Sequence, residues 1–250
     1  MSEQDGRTAA EDVTMRRRDL LVALGAIGAG AMWLASRAGD ATARAAVAGA
    51  AAGQAQNATC VLTPEQTEGP YWIDTTLTRR DVRAGRPGLP LDLRLTVVDA
   101  STCRPIRGAD VEIWHCDAAG VYSGVAGGGG NGAASPTDST RFLRGHQVAD
   151  AAGRVRFITI YPGWYQGRTV HIHVKVHVKG DEVHTGQLYF PDAVTDAVSR
   201  VRPYASRGTR DTRNADDHIY ASGGRQSTLR LRRRASGRGY IGSLTMGVDV

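Results

Sequence analysis

The run Thr169-Val170-His171-Ile172-His173-Val174-Lys175-Val176-His177 alternates with a period of two. In an extended chain Ile172, Val174 and Val176 fall on one face and His171 and His173 on the other. The pattern predicts a half-buried strand with an apolar core face and a wet polar face. Residues two apart on a strand stand roughly 6.5–7 Å apart, so both imidazoles can reach one metal ion. Similar alternation runs through 91–97, 111–116 and 154–160, with turn clusters between them at irregular spacing. The expected fold is all-β: a single-domain β-sandwich with short helices, one around 193–201, and long loops.

Of the 250 residues, 41% are apolar, enough for one domain with its own core. The formal charge is +6, with a basic cluster at Arg230-Leu231-Arg232-Arg233-Arg234. Because Leu229-Arg230-Leu231-Arg232 alternates, that cluster reads as an edge strand with a solvated basic face rather than a nucleic-acid site. The glycine run Gly127-Gly128-Gly129-Gly130 lacks the Gly-Lys-Ser/Thr ending of a phosphate loop and reads as a flexible rim.

Upstream of the histidines, Pro162-Gly163 interrupts the preceding strand. A turn there presents Tyr165 and Arg168 beside the histidine strand. A second phenol, Tyr122, stands where the strand 111–116 leaves through Gly120. Two phenols with two imidazoles are an informative donor set. Tyrosine keeps its proton to pH about 10, and a strongly Lewis-acidic ion is needed to hold it as phenolate, which favours Fe(III) over zinc. The usual two-His, one-carboxylate set of non-haem Fe(II) oxygenases is not the pattern here.

Four ordered blocks then resemble the intradiol ring-cleavage dioxygenases. They are Thr63-Pro64-Glu65-Gln66-Thr67-Glu68-Gly69-Pro70-Tyr71, the stretch 108–124 with Trp114-His115-Cys116-Asp117 and Tyr122-Ser123-Gly124, the stretch 142–175, and Gln187-Leu188-Tyr189-Phe190. The resemblance implies Tyr122, Tyr165, His171 and His173 as ligands of one mononuclear Fe(III) ion, with Tyr165 the ligand that leaves when substrate binds. It implies Arg168 and Gln187 as catalytic residues and Tyr71 as a substrate contact. It further implies a catechol-type aromatic diol and O2 as reactants, cleavage between the two hydroxyl-bearing carbons, and a cis,cis-muconate-type diacid as product. The loop between Tyr165 and Arg168 is only two residues long, which is similar to secreted members of the family. Members often pair, which leaves a homodimer open. His115, His146 and His177 fall on no ligand position and are expected to be structural. The alternative reading is a non-catalytic surface sandwich that binds polysaccharide or a partner.

The N-terminal region carries a separate message. Arg16-Arg17-Arg18-Asp19-Leu20-Leu21 and the weakly apolar run after it look like a twin-arginine export signal over 1–45, too mild for a stable membrane span. Residues 46–59 are expected to form a flexible leader and 60–250 the enzyme domain, outside the cytoplasm. Cys60 and Cys103 lie at the ends of loops flanking the first strand and can pair in an oxidising compartment, with Cys116 a buried thiol. Three free thiols are the alternative.

Overall fold

A computed structural model of the chain describes residues 60–125 and 140–250. The expected export signal, the leader and the glycine run lie outside the described residues. Among those described, the strands are β1 (Pro90–Asp99), β2 (Asp110–Trp114), β3 (Arg144–Val148), β4 (Arg154–Ile160), β5 (His171–Val178), β6 (Asp181–Tyr189), β7 (Arg230–Arg233) and β8 (Tyr240–Val248). Two short helices are α1 (Asp192–Val198) and α2 (His218–Ala221). One sheet has the order β4-β1-β8-β7 and the other β3-β2-β5-β6.

The period-two pattern explains how the sheets meet. Leu91, Leu93, Leu95 and Val97 of β1, Phe157 of β4 and Met246 of β8 point inward from the first sheet. Val111, Ile113, Ile172, Val174, Val176 and Leu188 answer from the second, in one buried cluster. Burying each such side chain stabilises the fold by about 1.5–3 kcal/mol. The second sheet is wholly antiparallel. In the first, β1 runs parallel to β8, the distant C-terminal strand.

The opposite face of β5 departs from the wet face that alternation predicts. His171, His173 and Lys175 are only 2%, 1% and 3% exposed. A strap, residues 63–72, lies over them. The Gln66 amide donates to the Thr185 carbonyl (2.9 Å), Gln187 Nε2 donates to the Thr67 carbonyl (3.0 Å), and Arg144 Nη2 donates to the Tyr71 carbonyl (2.6 Å). Lys175 pairs with Glu68 of the strap and, at 3.0 Å, with Glu182.

Smaller differences have local causes. Strand β2 ends at Trp114 rather than 116, because the chain turns into the Asp117-centred loop. Gln187 lies near the C-terminal end of β6, two residues before its last residue, Tyr189. His146 sits mid-strand in β3, with Nδ1 3.2 Å from Asp110 Oδ2. His115 is held as expected, by the Cys116 carbonyl (2.8 Å) and Thr159 Oγ1 (2.7 Å). The ring of His177 makes no hydrogen bond among the described residues; it lines an open groove opposite Asp110.

Cys60 and Cys103 form a disulfide with Cα atoms 5.3 Å apart, and Cys116 is a free, buried thiol. The bond closes a loop with a sequence separation of 43 and ties down the root of the strap. A Cys103→Ser variant is expected to lose about 2–4 kcal/mol, a fall of about 4–16 °C in the melting temperature of a chain this size. An unchanged melting curve would mean that the root of the strap contributes no stability.

Candidate metal centre

Ladder register delivers part of the site, and loops deliver the rest. On β5, His173 pairs with Trp114 of β2 and Gln187 of β6, and His171 pairs with Tyr189. Side chains directly opposite one another share a face. The Trp114 and His173 rings therefore stack at 4.9 Å with planes 7° apart, and Gln187 comes to the site as the cross-strand neighbour of a histidine.

Tyr122 and Tyr165 arrive on loops laced together by glycines. Asp117 Oδ1 accepts from the Ala119 and Val121 amides (2.8 and 3.0 Å), folding the loop that ends at Tyr122. A Cβ on Gly163 would stand 2.5–2.6 Å from the carbonyls of Ala118 and Asp117, and one on Gly120 would stand 2.4 Å from the Trp164 carbonyl. Only glycine permits so close an approach at these positions. Gly167, at φ +79°, then lets the chain turn tightly from Tyr165 into Arg168.

The four donors converge. Around His171 Nε2 stand Tyr165 Oη at 3.1 Å, His173 Nε2 at 3.2 Å and Tyr122 Oη at 3.5 Å. His171 Nδ1 lies 2.7 Å from the Thr169 carbonyl; it therefore carries the proton, and Nε2 faces the cluster with a bare lone pair. One lone pair cannot satisfy three neighbours. His173 Nδ1, outside this cluster, has no hydrogen-bond partner among the described residues. A cation among the four atoms relieves the crowding, so the donor set fits a metal.

Electrostatics point the same way. Burial, helped by the Arg168 charge, holds the His171 imidazole down to about 3. Burial with the neighbouring His171 keeps His173 well below its ordinary value. Both are neutral at physiological pH, as metal-bound imidazoles must be. Burial raises both phenols, Tyr122 well above the ordinary value and Tyr165 also upward although Arg168 pulls it back. The protein alone would leave both protonated, and a strongly Lewis-acidic cation is what could hold them as phenolates.

Around the donors, Tyr71 stacks on Tyr122 (4.4 Å, 21°) and meets Tyr165 edge-on (5.9 Å, 88°). Arg168 donates Nη2–H to Gln187 Oε1 (2.5 Å) and Nε–H to Asp217 Oδ2 (2.9 Å). Burial works against its charge, but Tyr165 and Asp217 outweigh that and raise its pKa. All seven residues singled out in the sequence are thus brought together. Trp114, Tyr189 and Asp217 were missed. The first two could have been found by laying β2 and β6 against the histidine strand; Asp217 follows a long irregular stretch and carries no local signal.

A family model described as Dioxygenase (Dioxygenase_C) matches residues 64–202. The protocatechuate 3,4-dioxygenase beta chain of Burkholderia cepacia is 33% identical over 148 residues, 54% of this chain and 60% of that protein. A chlorocatechol 1,2-dioxygenase of Pseudomonas putida is 31% identical over 119 residues, 40% of this chain and 42% of that protein. The chain therefore spans about half the length of these curated relatives. Among solved structures, an intradiol ring-cleavage dioxygenase from Tetranychus urticae superimposes with a TM-score of 0.70 at 34% identity, over 76% of this chain and 95% of that one. The dioxygenase domain of a dioxygenase carbohydrate-binding protein fusion from Streptomyces sp. SirexAA-E gives 0.56 at 30% identity, over 76% and 99%.

Proposed function

The chain belongs to the intradiol ring-cleavage dioxygenase family, and from that premise we propose that it is a ferric enzyme cleaving catechol-type rings with O2 between the two hydroxyl-bearing carbons. The observation that carries the reading is the convergence of two phenol oxygens and the His173 Nε2 nitrogen within 3.5 Å of His171 Nε2. Tyr122, Tyr165, His171 and His173 would hold the iron. Bound Fe(III) supplies a Lewis acid that holds a catechol as its dianion and draws electron density from the ring, making it reactive toward O2.

The protein's own groups divide the remaining work. Binding a catechol as its dianion releases two protons; in this reading the Tyr165 oxygen takes one and the other leaves to solvent. The family resemblance makes Tyr165 the phenol that moves and Tyr122 the fixed one, and the slight exposure of Tyr165 (7%) against none for Tyr122 supports that reading. Arg168 is held at Nε and Nη2, while its Nη1 makes no hydrogen bond among the described residues. That nitrogen is the donor available to developing negative charge on the ring and its oxygens, already oriented and costing no rearrangement. Tyr71, against both phenols, and the strap behind it exclude water from one side.

Export fits the same reading. The Cys60–Cys103 disulfide supports maturation in an oxidising compartment, and the twin-arginine pattern gives a route for a chain folded around its metal. A homodimer is the assembly this family reading favours.

The test is a visible absorption spectrum with iron assayed on the same sample. We expect a broad phenolate-to-iron charge-transfer band, shifted by anaerobic catechol and bleached when a chelator strips the iron. Protein that stays colourless and iron-free after reconstitution with Fe(III) would overturn the proposal.

A further inference from the structure

The first sheet turns its outer face to solvent, and register sets a row of arginines across it. Arg94 of β1 pairs with Arg156 of β4 and with Ser243 of β8, and Ser243 pairs with Arg230 of β7. Two residues along, Thr96 pairs with Arg154 and Thr245. All four arginines are exposed. Strands lie about 4.8 Å apart and successive outward residues roughly 7 Å apart, so cations and hydroxyls are interspersed over the face at intervals of a few ångströms.

Like charges on adjacent strands repel. Asp92 offsets part of this by accepting from both Arg94 (2.8 Å) and Arg156 (2.8 and 2.9 Å), and Asp150 pairs with Arg154 (3.1 Å). Arg230 and Arg225 have no ion pair among the described residues. Charges on β7 alone would be ordinary protection of an edge strand. Here the row continues onto β1 and β4, and Arg94 stands on an interior strand.

A groove of about 670 Å³ runs over this row, edged by Arg225 and Gln226. No carboxylate and no aromatic ring is among the residues that line it. Without aromatic rings it offers no platform for nucleobases or for the apolar face of a neutral sugar. Guanidiniums suit carboxylates, which they grip with two parallel hydrogen bonds; the interspersed Thr96, Ser243 and Thr245 hydroxyls suit a polymer that carries hydroxyls beside its acids.

We propose that this face binds a polyuronate, a polysaccharide bearing a carboxylate on each sugar, and so anchors the enzyme to an acidic matrix. The site is separate from the ring-cleavage residues and stands or falls without them.

The test is titration of the iron-loaded chain with polygalacturonate at 50 mM salt, alongside its methyl ester and duplex DNA of similar length. We expect the acid form to bind, the ester and the DNA to bind at least tenfold more weakly, and 500 mM salt to release the complex. An Arg225→Ser/Arg230→Ser double variant should weaken binding tenfold or more with unchanged melting temperature and catechol turnover. An Arg200→Ser/Arg202→Ser variant, which loses the same charge outside the row, should bind like the parent. Equal weakening by both variants, equal binding of ester or DNA, or no binding of the acid form would each overturn the assignment.

Discussion

Replacing His173 with alanine is expected to abolish iron retention and to lower catechol turnover by about 10³-fold or more. A bound Lewis acid contributes several kcal/mol to the transition state, and each 1.36 kcal/mol is tenfold in rate. The loss has no ready substitute. His173 is 1% exposed, its ring lies flat against Trp114 at 4.9 Å, and Gly69 closes over it so tightly that a Cβ there would stand 3.3 Å from His173 Cε1. Truncation therefore removes one of four converging donors from a closed site and leaves no side chain positioned to replace it. The control is His115→Ala. That imidazole is equally buried and is held by the Cys116 carbonyl and Thr159, so its removal costs about 1–3 kcal/mol and leaves the iron content of the folded fraction unchanged. Iron analysis with the visible band distinguishes the two. Full iron occupancy in His173→Ala would remove His173 from the ligand set, whatever its effect on rate.

The fold was legible where one side of a strand meets the core. Leu91 to Val97 and His171 to Val176 put their aliphatics where period two places them, and the edge position of Arg230–Arg233 follows from alternating arginines. The polar side of β5 was not legible, because what covers it comes from far away in sequence. Glu68 reaches Lys175 across 107 positions and Thr67 reaches Gln187 across 120. Alternation says which residues share a face and nothing about what lies over that face. The parallel pairing of β1 with β8 was hidden for the same reason. The donor atoms could be found because the two histidines share one strand and each phenol sits beside a glycine turn. Their supports could not: Trp114 lies at the end of β2 and Asp217 follows a long irregular stretch, and only register and tertiary contacts bring them to the site.

Asp217 carries the second large expectation. Asp217→Ala should destabilise the protein by about 3–5 kcal/mol, the usual cost of removing one partner of a buried ion pair. Arg168 is 12% exposed and the Asp217 side chain not at all. The same carboxylate accepts from the Thr169 amide (2.9 Å) beside His171, and from the Ile219 and Tyr220 amides (2.8 and 3.2 Å) at the start of α2. One group thus caps a helix, fixes the entry to the histidine strand and aims the arginine. Asp217→Asn separates the cap from the other two roles. The amide oxygen can still accept at the cap through the Oδ1 position, but the Oδ2 position that serves both the Thr169 amide and Arg168 becomes a donor and the charge opposite Arg168 is gone. The charge-transfer band should stay intact while kcat falls by about 10–100-fold, the order expected when a catalytic group is displaced by an ångström. Acid stability gives an independent readout. Burial pushes the Asp217 carboxyl up, but Arg168 and the Thr169 amide outweigh it and hold it below its ordinary value. Its stabilisation is therefore complete above the unfolded carboxylate value of about 4 and fades as pH falls through the lower folded value. Asp217→Asn should lose that part of the acid limb in its unfolding curve. If it instead bleaches the iron band, Asp217 acts through the Thr169–His171 segment on the metal and not through Arg168 on the substrate.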